Sequence, residues 1–213
     1  MTSVRPLLRG VSHQYAFFAS VVTGVVLVAS TASPVATVAA AIFAATVAAM
    51  FGASALYHRV AWSETGARWM RRVDHTGIFL VIGGSYMPYA LLVLSGPVRI
   101  AVITLVWLGV AASIALRFAW ASAPGWLTAT LGVTLGWVSL IALPQLIEHV
   151  SPAGLALLGA GGLLYTIGAI VYAVRRPNPF PRVFGFHEVF HLLVIAAVAC
   201  QYASVAFYVL PSE

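Results

Sequence analysis

A chain of 213 residues that is 62% hydrophobic and 8% charged, with a mean hydropathy of +0.99, cannot cover itself with a water-soluble surface, because soluble domains are about a quarter charged. Its net charge of +6 comes from arginines set between apolar runs rather than clustered on one solvated face, which excludes a nucleic-acid-binding module. The single cysteine, Cys200, excludes an intramolecular disulfide and, lying inside an apolar run, reads as a packing residue.

A membrane-spanning helix takes roughly 20 predominantly apolar residues. Seven such segments occur, at roughly residues 14–30, 35–57, 73–94, 98–116, 125–146, 153–174 and 186–210. The sequence therefore predicts an all-α polytopic membrane protein, one domain over residues 1–213 with seven transmembrane helices. Met1 to Gly10 carries Arg5 and Arg9, but the first apolar run is not followed by a soluble stretch that a signal peptide would deliver, so it reads as a true span. Ser30-Thr31-Ala32-Ser33-Pro34 and Ser95-Gly96-Pro97 are short, turn-forming connections suited to antiparallel neighbours. A soluble bundle could not bury seven helices that are apolar all round.

The arginines divide unevenly between the two sides of this arrangement. Arg5, Arg9, Arg59, Arg68, Arg71, Arg72, Arg117, Arg175, Arg176 and Arg182 fall on one side and only Arg99 on the other. Loops rich in Lys and Arg stay cytoplasmic, so the N-terminus is expected inside and the C-terminus outside.

Ionisable groups within spans are costly and usually face the bundle interior. Here they are His58, Asp74 with His75, Glu188, and the pair His187 and His191. His58 ends the second helix, Asp74 opens the third and His187 opens the seventh, all at the cytoplasmic edge. His191 lies about 6 Å deeper at 1.5 Å per residue, and Ser54, four residues before His58, reaches the same level. Three neutral imidazoles, His58, His187 and His191, can bind Zn²⁺ and leave a fourth position for water, as in catalytic zinc sites. Asp74 would orient or deprotonate that water, and Ser54 would hold the water or a substrate carbonyl.

Other readings of the same residues stand beside this one. His58 reads equally as an interfacial residue or a cap, and Asp74 as a partner of the helix dipole, Arg71 or Arg72. Ser54 reads as bonding its own i−4 carbonyl. His13, His75 and His149 read as interfacial. His187-Glu188-Val189-Phe190-His191 also matches the HExxH pattern of metalloproteases, with the glutamate as base. Intramembrane proteases of that kind resemble one another in an Asp-Gly element, which this chain lacks. Glu188 lies about 100° round the helix from His187, which turns it away from a shared metal.

Ser54-Ala55-Leu56-Tyr57-His58, Asp74-His75-Thr76-Gly77-Ile78-Phe79, Gly84-Ser85-Tyr86-Met87-Pro88 and Gly185-Phe186-His187-Glu188-Val189-Phe190-His191 resemble, in order, the motifs of the hemolysin III family. That family is the bacterial branch of the progestin and adipoQ receptors, which include the adiponectin receptors, and is related more distantly to alkaline ceramidases. Met87 departs from the family's more usual threonine. The resemblance implies a seven-helix fold with zinc near the cytoplasmic face of the cell membrane, held by His58, His187 and His191. It implies that Asp74 contacts the metal through water and that Ser54 completes the motif. It also implies hydrolysis of a ceramide-like lipid amide, while the family name records a lytic activity. The alternative is a non-catalytic sensor, or a lytic or pore-forming protein, in which zinc pins helix ends.

Overall fold

The computed structural model describes residues 6–120 and 122–212; Arg5 lies outside them. Among the described residues the protein is all-helical, with no strand beyond one isolated bridge between Phe180 and Phe184. In chain order the helices are α1 (Val11–Ala29), α2 (Pro34–Arg59), α3 (Glu64–Leu92), α4 (Gly96–Ala119), α5 (Gly125–Gly136), α6 (Leu143–His149), α7 (Pro152–Val174) and α8 (Phe186–Ser204). A 3₁₀ segment, Trp137–Ala142, joins α5 to α6, and α8 runs on into a π turn, Val205–Val209.

Six helical stretches are long and apolar enough to cross a membrane: α1, α2, α4, the α5–α6 run from Gly125 to His149, α7, and α8 extended to Val209. The remaining long helix, α3, carries Arg68, Arg71, Arg72 and Asp74 in its first half. It begins nine residues before the expected Val73, because hydropathy alone misses a polar first turn. Ser63 caps it by accepting from the Gly66 N–H, and Glu64 sits in the first turn, where both a hydroxyl acceptor and a negative charge are favoured.

The expected fifth span is present as the run from Gly125 to His149, but it changes helical form within its length. Pro144 at the start of α6 has no N–H to give to the preceding turn and crowds the carbonyl four residues back. Backbone groups freed within a membrane must be satisfied by the protein. Where α5 gives way to the 3₁₀ segment, the Tyr86 hydroxyl does this, reaching the Leu135 and Gly136 carbonyls at 2.8 and 2.6 Å while accepting from the Ser139 N–H at 2.9 Å. Beside it on α3, Met87 accepts a hydrogen bond from the Trp107 indole at 3.3 Å, so the methionine is tied to α4.

Small residues set how closely α2 and α3 approach. A side chain at Gly77 would meet the Met50 backbone at 3.1 Å, and one at Gly84 would collide with Thr46. These glycines are seven apart, two helical turns, and so lie on one face. Packing of this kind is how membrane helices associate without a hydrophobic force between them. It lays the C-terminal turns of α2 against Asp74. Gly10, with φ of 78°, rests against His58 where a side chain would clash, and so lets α1 start beside the end of α2.

Candidate metal centre

His58 projects from the last turn of α2, and His187 and His191 from successive turns of one face of α8. One ligand nitrogen from each lies within 4.8 Å of the others, a spread that a single metal ion can bridge. His58 Nε2 and His187 Nε2 are 3.1 Å apart. His191 is 2% exposed and its Nδ1 has no hydrogen-bond partner. A buried, unpartnered imidazole nitrogen calls for an explanation. A cation among three neutral imidazoles supplies one, and the all-nitrogen donor set fits zinc.

Asp74 faces this cluster from α3. Its Oδ2 is 3.9 Å from His58 Nε2 and 3.9 Å from His75 Nδ1, too far for direct hydrogen bonds and a suitable gap for a bridging water. Ser54, 2% exposed and one turn before His58, adjoins the Asp74 carboxyl. Its hydroxyl is hydrogen-bonded across to His13 Nδ1 on α1 at 2.8 Å.

His13 therefore departs from the interfacial role expected for it. It is 2% exposed, its ring stacks on His191 at 3.7 Å and 9°, its edge meets Phe51 at 5.0 Å, and its Nε2 lacks a partner. The physical reason is the start of α1 at Val11, three residues earlier than hydropathy suggests, which puts His13 in the first turn at the depth of the other histidines. The depth count that singled out Ser54 and His191 would have found it had the helix been started there. His75 also turns inward. Its Nδ1 donates to the Arg71 carbonyl at 2.6 Å, which leaves Nε2 to accept from the Tyr172 hydroxyl at 3.1 Å. His149 is exposed and bonds its own helix at the Gln145 carbonyl.

Glu188 faces neither metal nor cavity as a base would. Its Oε2 accepts from the Gly185 N–H at 2.8 Å, capping α8, and its Oε1 pairs with Arg9 Nε at 2.5 Å. The residue is 2% exposed. Both carboxylate oxygens are thus engaged in holding the start of α8 to the segment before α1, which is further tied by Leu7 and Leu8 N–H groups donating to the Arg182 and Val183 carbonyls. An HExxH protease needs that carboxylate free.

From this cluster a cavity of about 320 Å³ extends into the bundle between α3, α5, α7 and α8, passing Ile78, Ile82, Leu158, Phe190 and Val194 and reaching Leu94 and Leu146. His13, Ser54, Asp74, His75, His187 and His191 line its head.

The family described as Haemolysin-III related matches residues 1–202. This chain belongs to that family. Hemolysin-3 of Bacillus cereus is 31% identical over 140 residues, 66% of this chain and 61% of that protein. The Hemolysin-3 homolog of Bacillus subtilis (strain 168) is 28% identical over 167 residues, 78% of this chain and 75% of its own length. The adiponectin receptor protein of Drosophila melanogaster is 29% identical over 155 residues, 65% of this chain and 35% of its own. This haemolysin-III related protein thus spans about three fifths of the length of the B. cereus relative, and it is an integral membrane protein with bacterial relatives.

Proposed function

We propose that this protein is a zinc-dependent hydrolase of a lipid amide, with the metal held by His58, His187 and His191. The observation that carries the reading is the meeting of three imidazoles and a carboxylate at the head of a deep apolar cavity. Zinc bound there would polarise a carbonyl oxygen and acidify a water. Asp74, held 3.9 Å from His58, is the group to accept a proton as the amide is attacked and to return it to the leaving amine. Ser54, fixed by His13, orients the water or the carbonyl. The apolar cavity holds the acyl chain, so a ceramide-like substrate would present its amide at the polar end.

The seven-span arrangement belongs to the same proposal. α3 runs alongside α2 and α4 with its charged first turns at the end where His58 and Arg59 lie. Counted as a span, it leaves the N-terminus inside, the C-terminus outside and the metal centre at the cytoplasmic side of a bacterial cell membrane. Purified protein should carry about one zinc per chain and hydrolyse a member of a lipid-amide panel. Turnover that survives loss of the metal in His191→Ala would overturn the mechanism.

The name Hemolysin-3 borne by two Bacillus relatives favours a second reading, a lytic protein with a structural metal. Its pore would need polar lining through the membrane, whereas the cavity wall beyond its head is mostly apolar, with only scattered polar groups. Liposome leakage undiminished by replacing all three histidines would detach lysis from this site.

A further inference from the structure

Two polar atoms lie deep in the cavity with nothing to bond. The Tyr165 hydroxyl on α7 and the Gln201 side-chain oxygen on α8 both belong to residues lining it, both atoms are buried, and neither has a hydrogen-bond partner. Other hydroxyls along the same wall are satisfied within the protein: Ser85 donates to the Val81 carbonyl, Tyr89 to Ser204, and Thr166 to the Gly162 carbonyl. The contrast matters because an unpaired polar group in an apolar membrane interior is costly, and proteins keep such groups where a ligand or water completes them.

The two residues line the cavity about one helical turn apart along the α7–α8 seam. Gly161 packs against Gln201, a side chain there meeting its Cγ at 3.2 Å, and Tyr165 follows Gly161 by one turn on the same face. Gln201 lies ten residues beyond His191 on α8, about 15 Å at 1.5 Å per residue and so still within a hydrocarbon core roughly 30 Å thick.

We infer that Tyr165 and Gln201 form a second recognition point in the cavity, one that takes a lipid chain bearing a hydroxyl group about 15 Å from the head held at the histidines. This rests on reading the cavity as a lipid site. A phenol can donate and accept, and a carboxamide can do both. A chain hydroxyl between them therefore satisfies both orphans, while an unsubstituted chain leaves both buried and unpaired. Sites built to bond a hydroxyl reject the analogue that lacks it for this reason.

The test is competition against a fluorescent long-chain fatty acid by purified protein, using stearic acid and a mid-chain hydroxystearic acid as probes. The wild-type protein should bind the hydroxylated acid about tenfold more tightly, and Tyr165→Phe with Gln201→Met should bring the two acids to about equal affinity. Metal content serves as the folding control, because the His cluster lies well away from both substitutions. If the double variant loses its metal, Tyr165→Phe alone, which removes one oxygen, should cut the preference about threefold. Equal binding of the two acids by the wild type would overturn the inference and mark the atoms as partners of buried water. A preference that persists in the variants would overturn it too. Binding of neither acid would instead overturn the lipid reading of the cavity, which is a different outcome from equal binding.

Discussion

The two ends of the bundle handle buried polar groups in opposite ways. At the far end the Tyr89 hydroxyl donates to Ser204, whose own hydroxyl donates to the Gly154 carbonyl, both bonds at 2.8 Å. That chain closes on the backbone and ties α3, α7 and α8 together. At the histidine end, His58, His187 and His191 point nitrogens at one another, His191 Nδ1 and His13 Nε2 lack partners, and Asp74 stands 3.9 Å off. The first arrangement is complete without any ligand. The second leaves nitrogens open and could hold a metal ion, so buried polar groups close on the protein at one end and stay available to a ligand at the other.

Substitutions should sharpen that contrast, and the largest effect belongs to the open end. His191→Ala should lower metal affinity by more than about 100-fold, beyond what loss of an outer partner costs, and abolish lipid-amide turnover, checked by metal analysis and a product assay. Asp74→Asn keeps the shape but removes the carboxylate proposed as proton acceptor. It should retain metal while turnover falls about 10²- to 10⁴-fold. His13→Ala frees Ser54 and unstacks His191, and should weaken metal binding about tenfold, read by competition with a chelator. Glu188→Ala should leave the bound metal in place but destabilise the fold by about 1–3 kcal/mol, through loss of the α8 cap and the Arg9 pair. Turnover lost in that variant at full metal occupancy and unchanged stability would restore the protease reading. At the closed end, Tyr89→Phe should cost about 1 kcal/mol in thermal unfolding and leave both metal and turnover untouched.

The candidate site was legible to the extent that depth could be counted. His58, His187, His191 and Ser54 stand within two turns of a helix end, where a rise of 1.5 Å per residue translates position into depth; Asp74 lies three turns into α3 because that helix starts earlier than hydropathy suggests, and the structure still brings all five together. His13 was missed because its helix was started three residues too late, and His75 because a partner on α7, Tyr172, lies 97 residues away. Pro144 marks the start of α6, yet the Tyr86 hydroxyl that bonds the end of α5 links α3 to α5 across 49 residues or more. Glu188 showed its position round α8 but not its partner Arg9, which arrives from the opposite end of the chain.

By itself, then, the sequence determined that the protein belongs in a membrane, since so little charge cannot solvate so much apolar surface. It also determined which polar residues share a level, because helical rise is uniform. Only the tertiary structure decided which of them face one another, which nitrogens are left without partners and where the cavity runs. Those depend on the rotation and close approach of helices, set at Gly10, Gly77 and Gly84 by the absence of a side chain, and a hydropathy pattern carries depth but not rotation about the helix axis.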